Sequence, residues 1–417
     1  MSVPIAARIL TAQQRPTDAT FAALRRPAIV WDDHRWWRYV EHTEEYQVRY
    51  LGIERHGELA ALAPLLLASA ETGLPFYDLP KMTGNDNAFG VPDWLSDAER
   101  AAYLSLRQAL PALRADQYPS LALATFGAHP GIVFADGLPP SARAQILAAL
   151  PGLLRQAATE LGCRSCGALY LSTQELSDVG SAAREQGFQP AVIGAETILD
   201  LPEVPSFDAY LNTLNRNRRR NIQRELAEFE AGAWQVRVHT GADAITPELI
   251  ALQAALRIKH GLPGDAERIG RDLHLIAATF GDDCVVISAH QGEHIDGFAL
   301  YLRSHDRLYA RTGGFHFDEN GRSCYFPVAY YEAMRWAMTQ GIRSIYYGLS
   351  AYEAKHHRGC RMEPRWGLFR FHGSHADALH TAVGLQGASE QRALSKLGAT
   401  FADAPVEIPT LCQEETS

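Results

Sequence analysis

A helix, a terminating glycine and a strand follow one another twice in this 417-residue chain, and this repeat is the strongest constraint on its fold. The first copy is residues 153–165 (LLRQAATELGCRS) and the second is residues 331–344 (YEAMRWAMTQGIRS). Each has helical periodicity, ends at a glycine and enters the next strand through Arg-Ser. The pattern predicts two copies of one fold; the alternative is chance similarity between amphipathic helices that end in glycine.

The domain organisation follows from the length of the chain and from this repeat. A chain of 417 residues is too long for one ordinary core. We assign residues 1–202 to a degenerate N-terminal domain that serves as scaffold and site wall, residues 203–385 to a catalytic C-terminal domain, and residues 386–417 to a tail. Turns at Gly292 and at Ser304 to Asp306 predict antiparallel strands. The fold class is α/β (α+β), each domain a mixed, mostly antiparallel sheet flanked by helices.

Composition excludes several classes of protein. With 47% hydrophobic and 21% charged residues the chain is globular and not disordered. No apolar run approaches the ~18 residues of a membrane span, and the first residues lack a signal-peptide core, so we expect a cytoplasmic protein. A net charge of -9 argues against broad nucleic-acid binding but allows a local basic patch. Cys163 and Cys166 form a lone CxxC, more typical of ordinary thiols than of a zinc site.

The second copy of the repeat leads into residues 342–371, which we predict to contain the site. Its strand ends at Gly348, and a loop dense in polar and ionisable groups follows. The groups are Tyr352, Glu353, Lys355, His356, His357 and Arg358. Loops after strand ends are where α/β proteins bind ligands. Lys355 and Arg358 are three residues apart, so one helical turn would put both cations on one side, as a site for negative charge.

The run Glu353-x-Lys355-x-x-Arg358-Gly359 resembles the signature of the Fem-like, peptidoglycan-biosynthesis group of the GNAT acyltransferase superfamily. The family usually has an aromatic residue after Arg-Gly, where this chain has Cys360. The resemblance implies tandem GNAT-like domains and an acyl- or aminoacyltransferase with aminoacyl-tRNA as donor. The acceptor would be a peptide or small-molecule amine of cell-wall or natural-product biosynthesis. Beyond the donor as co-substrate, we expect no cofactor, no metal and no membrane partner.

Acyl transfer to an amine needs a proton acceptor and groups that stabilise an oxyanion. Lys355 suits oxyanion or phosphate stabilisation, and Arg358 suits bidentate binding of phosphate or carboxylate. The candidate proton acceptors, which the sequence does not rank, are Glu353, His356, His357 and Glu332. The alternative for Glu353 is an ion pair with Lys355 or Arg358 that only fixes the loop. With no G-x-S-x-G motif and no activated cysteine, we expect direct attack by the acceptor amine.

Donor binding has further candidates. An Arg-rich helix over residues 206–232 carries Arg216, Arg220 and Arg224 at four-residue steps, which we assign to the donor phosphate; the alternative is a solvated, ion-paired face. Other candidate substrate or donor ligands are Tyr347, Tyr352, Arg311, Arg322, Ser323 and Lys81. Lys81 belongs to a loop-rich stretch, residues 72–92, whose Asn85, Asp86 and Asn87 are either part of a substrate cleft or a solvated connection.

Two alternatives to an enzyme that uses aminoacyl-tRNA remain open, and the first is an enzyme that uses acyl-CoA. CoA-dependent GNAT enzymes carry a glycine-rich pyrophosphate loop where this chain has DENGRS, residues 318–323, with two acids. The acids favour aminoacyl-tRNA, although Arg322, Ser323 and the following helix start can still hold the phosphate of an acyl-CoA. A non-catalytic GNAT-like ligand-binding protein is the second alternative. We expect Lys355→Ala to abolish amide formation and leave the fold intact.

Overall fold

The computed structural model of the protein describes residues 4–16, 29–43, 45–72, 74–83 and 94–401. The strands are β1 (Ile5–Leu10), β2 (Gln47–Arg55), β3 (Glu58–Ala68), β4 (Ser120–Leu123), β5 (Val133–Phe134), β6 (Ser165–Leu171), β7 (Gln189–Asp200), β8 (Gln235–Thr240), β9 (Cys284–Gln291), β10 (His294–Ser304), β11 (Arg307–Phe315), β12 (Ser344–Gly348) and β13 (Arg361–Phe371).

The α-helices flank these strands. They are α1 (His34–His42), α2 (Leu79–Met82), α3 (Asp97–Ala115), α4 (Pro140–Glu160), α5 (Thr173–Glu185), α6 (Phe207–Thr213), α7 (Arg216–Ala231), α8 (Pro247–Lys259), α9 (Ala266–Phe280), α10 (Glu319–Phe326), α11 (Ala333–Thr339), α12 (Tyr352–His357) and α13 (Ala376–Lys396). A π-helical segment, Pro327–Glu332, joins α10 to α11.

The contacts divide the chain into two compact units. One contains Trp31–Ala195 together with the chain from Met362 on, and the other contains Glu196–Arg361. The first unit has the strand order β1-β2-β3-β4-β6-β13-β7, with β5 on β3. The second has the order β7-β12-β11-β10-β9-β8. Since β4–β6 and β11–β12 are parallel and the other described registers are antiparallel, the predicted mixed, mostly antiparallel sheet is confirmed.

This division differs from the predicted boundaries at residues 202 and 385. The change from one unit to the other falls within β7, after Ala195. The chain returns to the first unit at Met362 because β13 pairs with β6, from Trp366 opposite Leu171 to Phe371 opposite Ser165. Where a lone helix over residues 390–397 was predicted in the tail, α13 is 21 residues long. That the two units are copies of one fold stays a prediction.

Two further helix predictions need correction. The single helix expected over residues 206–232 is interrupted because Leu214 has extended backbone angles and the Asn215 side chain caps α7 by accepting from the Arg218 amide. The helix expected from Tyr325 begins earlier, at Glu319, and loses regular α geometry at Pro327, which lacks an amide proton to donate.

The hydrophobic core of the second unit lies between its sheet and its helices. It includes the buried faces of α7, β9 and β10 and the aromatic rings of the π segment, with Tyr330 and Tyr331 almost completely buried. The strand of this sheet that comes last along the chain is β12. It pairs with β11 on one side and with residues 197–200 of β7 on the other. The site is built where β12 ends.

Candidate active site

A tight turn follows β12 and reverses the direction of the chain. Gly348 has a φ of 66°, and the non-glycine residues Ser350 and Ala351 have φ values of 66° and 48°. Left-handed backbone angles are costly for residues with a Cβ, and strained residues of this kind cluster at functional sites. The turn leads into α12, a short helix that places Lys355 back under the end of the strand.

Lys355 lies inside the second unit and is 5% exposed. Its Nζ donates to the carbonyl oxygens of Tyr347 (2.8 Å), Gly348 (3.2 Å) and Leu349 (2.8 Å). Burial lowers the pKa of Lys355 to about 8, while its electrostatic interactions with Cys360 and Glu196 act in the opposite direction. The ammonium group is therefore held at one fixed point at the strand end and is easier to deprotonate than an ordinary lysine.

One of the three carbonyl oxygens has a second donor. The Thr197 hydroxyl on β7 donates to the Gly348 oxygen at 2.6 Å. Lys355 can release this contact, its longest, without leaving the carbonyl unpaired. One ammonium hydrogen is therefore available for exchange to a ligand.

Lys355 lines a cavity of about 730 Å³ within the second unit. The wall has four cationic side chains and is rich in aromatic rings. The cations are Lys259, Arg311, Arg322 and Lys355. The aromatic residues are Tyr301, Phe315, Phe317, Tyr325, Phe326, Tyr330 and Tyr347. None of the described lining residues is acidic, so the cavity suits an anionic ligand that carries a flat ring.

Tyr347 lies on the cavity wall at the end of β12. Its ring stacks on Tyr330 of the π segment, with 4.4 Å between the ring centroids. Its hydroxyl is buried and has no hydrogen-bond partner among the described residues. Burial, with a smaller contribution from Tyr301, raises the pKa of Tyr347 well above its ordinary value. The hydroxyl stays protonated and is available to a ligand as a donor.

Arg358 is engaged within the protein. Its Nη2 donates to both carboxylate oxygens of Glu225 on α7, at 2.9 and 2.8 Å, and its Nη1 donates to the Ala354 oxygen. Its guanidinium also lies 3.2 Å from the ring centroid of Phe326. The sequence assigned Arg358 to the donor phosphate, but in this arrangement it fixes α12 to α7. It lines a smaller cavity of about 330 Å³.

Steric limits and the backbone conformation favour glycine at position 359, directly after Arg358. Gly359 has a φ of 84°, and a Cβ added there would lie 2.9 Å from Cδ2 of Leu214. The Arg-Gly pair of the signature thus ends α12 with an arginine turned inward and a backbone that only glycine adopts without strain. Cys360 follows, and its thiol is buried, which raises the pKa of Cys360 to about 12. It is a poor nucleophile.

The three arginines of α7 that were predicted to bind the donor phosphate line neither cavity. Arg216, Arg220 and Arg224 are exposed, and Arg224 lies 3.8 Å from Glu228. The residues of α7 that line the smaller cavity are Arg218, Asn221, Ile222 and Glu225. Sequence reasoning did not select Arg218 and Glu225 as site residues. Their spacing of four and three residues from Ile222 places them on the face of the helix that carries Ile222, and this signal could have identified them.

The predicted proton acceptors lie away from the cavity that contains Lys355. Glu353 and His357 are exposed and line the smaller cavity. His356 contacts Arg218 through Nε2, and its burial, together with Arg218, lowers its pKa. Glu332 pairs with Arg335 and is among the residues of neither cavity wall. The described histidines on the larger wall are His260 and His316, which the sequence analysis did not identify.

At the predicted anion site, the start of α10, a backbone amide already has a hydrogen-bond acceptor within the protein. The Asp318 side chain caps α10 by accepting from the Gly321 amide at 2.9 Å. A carboxylate at this point repels a second anion. Arg322 is exposed and lines the cavity, whereas Ser323 is half-buried and is not among its lining residues. Arg311 lines it from β11.

The remaining candidates lie elsewhere. Tyr352 is half-buried at the start of α12 and is among the lining residues of neither cavity. Lys81 belongs to the first unit, where its Nζ donates to the Thr72 oxygen at 2.6 Å and lies 3.3 Å from Asp78. Asn85, Asp86 and Asn87 lie outside the described residues.

The family model of FemAB-like proteins, described as peptidoglycan biosynthesis/recognition, matches residues 108–399. The match covers more than half of the chain. The chain belongs to the FemAB-like family. As a FemAB-like protein it is an acyl- or aminoacyltransferase, and the predicted resemblance to the Fem-like, peptidoglycan-biosynthesis group is confirmed. No curated protein matches this FemAB-like chain significantly.

Solved structures also resemble this FemAB-like chain. FemX is 11% identical with a TM-score of 0.50, and the match covers 85% of this chain and 96% of FemX. A tandem GNAT protein from the clavulanic acid pathway is 11% identical, with a TM-score of 0.47 and coverage of 88% and 98%. L-PGS from Bacillus licheniformis is 11% identical, with a TM-score of 0.41 and coverage of 63% and 82%. At 11% identity the FemX match shows the fold alone.

None of the helices in the described part of this FemAB-like chain combines the length and the hydrophobicity that a membrane span requires.

Proposed function

We propose that the protein forms an amide bond by direct attack of an acceptor amine on the ester carbonyl of aminoacyl-tRNA. The observation that carries this proposal is the cavity with four cationic and several aromatic side chains, and no described acidic one, beside the buried ammonium of Lys355. The 3′ end of a charged tRNA offers phosphates for the cations, an adenine for the rings and an ester carbonyl for Lys355.

The choice of aminoacyl-tRNA over acyl-CoA is supported at the start of α10. Asp318 occupies the Gly321 amide that a pyrophosphate would need, and its charge disfavours one there. The exposed arginines of α7, which the sequence analysis assigned to the donor, remain available to a phosphate backbone. A charged tRNA, with many phosphates outside the cavity, uses such a surface better than CoA does. Use of charged tRNA would place the reaction in the cytoplasm.

The proposed reaction balances without a covalent acyl-enzyme. The amine nitrogen attacks the ester carbon, the carbon–oxygen bond to the ribose breaks, and the proton of the amine is transferred to the departing ribose oxygen. Lys355 exchanges its contact with the Gly348 oxygen for the developing oxyanion. Tyr347, protonated and without a hydrogen-bond partner among the described residues, donates to the ribose oxygen.

We assign transfer of the amine proton to His260 at the C-terminal end of α8. It lines the cavity, and its ring is exposed. The other histidine of the wall, His316, is less free because its ring stacks on His294 with 5.1 Å between centroids. The acceptor is an amine of a peptide or of a small molecule.

The test supplies both donors in parallel. Purified protein is incubated with total tRNA charged with radiolabelled amino acids, or with radiolabelled acetyl-CoA, together with amine acceptors from a cell extract. We expect label from charged tRNA to enter RNase-resistant amide products, and prior RNase treatment to abolish the transfer. Consumption of acetyl-CoA alone would identify an acyl-CoA-dependent N-acyltransferase. Consumption of neither donor would contradict the proposal.

A further inference from the structure

A corner of the second unit brings two histidines and a buried aspartate together. The register of β9 against β10 skips Asp296: Ile295 pairs with His290, and Gly297 pairs with Ala289. A bulge of this kind re-aims a side chain out of the regular alternation. The amide of His316, just after β11, donates to the Asp296 carbonyl at 3.0 Å. The bulge thus places His294, Asp296 and His316 side by side.

The aspartate is oriented by a neighbour. Asp296 is 2% exposed, and its Oδ2 accepts from the Trp234 indole nitrogen at 2.7 Å. Its Oδ1 lies 3.7 Å from Nε2 of His294. One carboxylate oxygen is held by a neutral donor while the other faces an imidazole. This is the arrangement by which an outer hydrogen bond fixes a carboxylate that binds a metal.

The three side chains offer a coherent ligand set. One ligand atom of each lies within 4.8 Å of the others. His294 is 63% exposed, so an ion can enter from solvent, and His316 also lines the cavity described above. Two imidazoles and one carboxylate favour Zn²⁺ or a related first-row transition metal over Mg²⁺ and Ca²⁺, which prefer oxygen ligands.

We propose that His294, Asp296 and His316 bind one divalent transition-metal ion of the Zn²⁺ class at the edge of the cavity. The ion ties the start of β10 to the end of β11, and small adjustments of the exposed His294 ring and the half-buried His316 ring bring the three ligand atoms to it. Solvent or a ligand in the cavity completes its coordination. This site is independent of the proposed donor, because none of the three residues carries a role in the proposed acyl transfer.

The experiment measures binding of the metal alone. Full-length protein freed of metal by chelation is titrated with Zn²⁺ by calorimetry and with Co²⁺ by visible absorption. We expect one equivalent to bind, with affinity reduced at least tenfold in His294→Ala and in His316→Ala. His274→Ala, which removes an exposed histidine on α9, is the matched control and keeps the affinity of the unchanged protein.

Asp296→Asn serves as a third variant, because it keeps the shape of the side chain next to Trp234. We expect it to weaken Zn²⁺ binding while its thermal denaturation without metal stays close to that of the unchanged protein. Added Zn²⁺ should raise the melting temperature of the unchanged protein but not of His294→Ala. Absence of saturable binding, or equal affinity in the histidine variants and in His274→Ala, would overturn the proposal.

Discussion

Lys355 shows how a residue expected from a sequence signature acquires its properties from its neighbours. The signature gives the residue type, but the three carbonyl oxygens that surround its ammonium come from the end of β12 and the turn after it. This changes the choice of variant. Lys355→Ala would leave the buried carbonyls of Tyr347 and Leu349 without this donor, at about 1–3 kcal/mol each, so an intact fold is not expected.

The first prediction concerns pH. The folded pKa of Lys355 is lowered to about 8 by burial, so its ammonium is present below pH 8 and is lost as the pH rises through that value. If the ammonium stabilises the oxyanion, kcat falls on the alkaline side with an apparent pKa near 8. Lys355→Arg keeps a positive charge and should shift this fall to higher pH. The measurement is the pH dependence of single-turnover amide formation.

Lys355→Met provides the control for this prediction, because it retains most of the side-chain volume and has no charge. Like Lys355→Ala it leaves the carbonyls of Tyr347 and Leu349 without this donor, so its thermal denaturation is measured first and its activity is read below the melting temperature. It should lose activity across the whole pH range. An alkaline limb near pH 8 that persists unchanged in Lys355→Arg would show that another group titrates. The pH dependence of stability gives an independent test. Between pH 8 and 10.5 Lys355 is protonated in the unfolded chain but has released its proton in the folded protein. The contribution of Lys355 to the unfolding free energy therefore rises with pH in this range.

The second prediction concerns the hydroxyl of Tyr347, for which the described part of the chain offers no hydrogen-bond partner. Tyr347→Phe removes only this group and leaves the stacking on Tyr330 in place. Because a buried hydroxyl without a partner costs free energy, the variant should be at least as stable as the unchanged protein in urea denaturation. Loss of a donor to the reaction should lower kcat by about 10²-fold. A normal kcat would remove Tyr347 from the mechanism.

At the scale of the element, α7 and α12 depend on each other. Arg358 closes α12 and pairs with Glu225, 133 residues earlier, while Tyr331 donates to the same carboxylate. The guanidinium is almost completely buried against Phe326. This ion pair holds α12, the helix that carries Lys355, in place against α7.

The third prediction removes that ion pair. Glu225→Ala leaves a buried arginine without its carboxylate, so we expect a loss of about 3 kcal/mol in the unfolding free energy, measured by urea denaturation. Glu228→Ala, on the same helix, breaks only the exposed contact with Arg224 and should change stability by less than about 0.5 kcal/mol. Equal effects of the two substitutions would contradict a structural role for the Glu225–Arg358 pair.

At the scale of the whole molecule, the order of the chain is not the order of the compact units. The first unit is completed only by β13, which comes after the entire second unit. β13 is central in its unit, since it lies between β6 and β7, and its Leu368 and Phe369 are almost completely buried. The first unit therefore depends on residues near the other end of the described chain.

The fourth prediction tests this dependence. A Cβ added to Gly167 of β6 would lie 2.1 Å from the backbone oxygen of Leu368 on β13, a clash that a side-chain shift does not relieve. Gly167→Ala should separate the two strands and cost about 4 kcal/mol or more of stability. Thermal denaturation and hydrogen exchange of β6 and β13 measure the effect.

The matched control is Gly180→Ala on α5, where an added Cβ meets no described atom within 4 Å. Alanine is the better helix former, so this substitution should be neutral or stabilise by about 0.5–1 kcal/mol. If Gly167→Ala is as stable as Gly180→Ala, the pairing of β6 with β13 is not essential to the first unit.

Much of the secondary structure was predictable from the sequence because its signals are local. Thr246 and Pro247 mark the start of α8, and the periodicity of residues 141–161 predicts α4 almost to its ends. The signature around Lys355 and Gly359 gave the family in the same way. These patterns depend on neighbours within a few residues along the chain, where helix and turn geometry fix the distances.

The partners of the site residues were decided only by the tertiary structure. Arg358 pairs with Glu225 and not with the nearby Glu353, and Asp296 meets His316 only because a bulge in β10 alters the register. Such contacts join residues far apart in sequence, and their formation depends on which strands pair and at what register. Local periodicity carries no information about that register, so the sequence determined the elements and the family, while the sheet decided which charges meet.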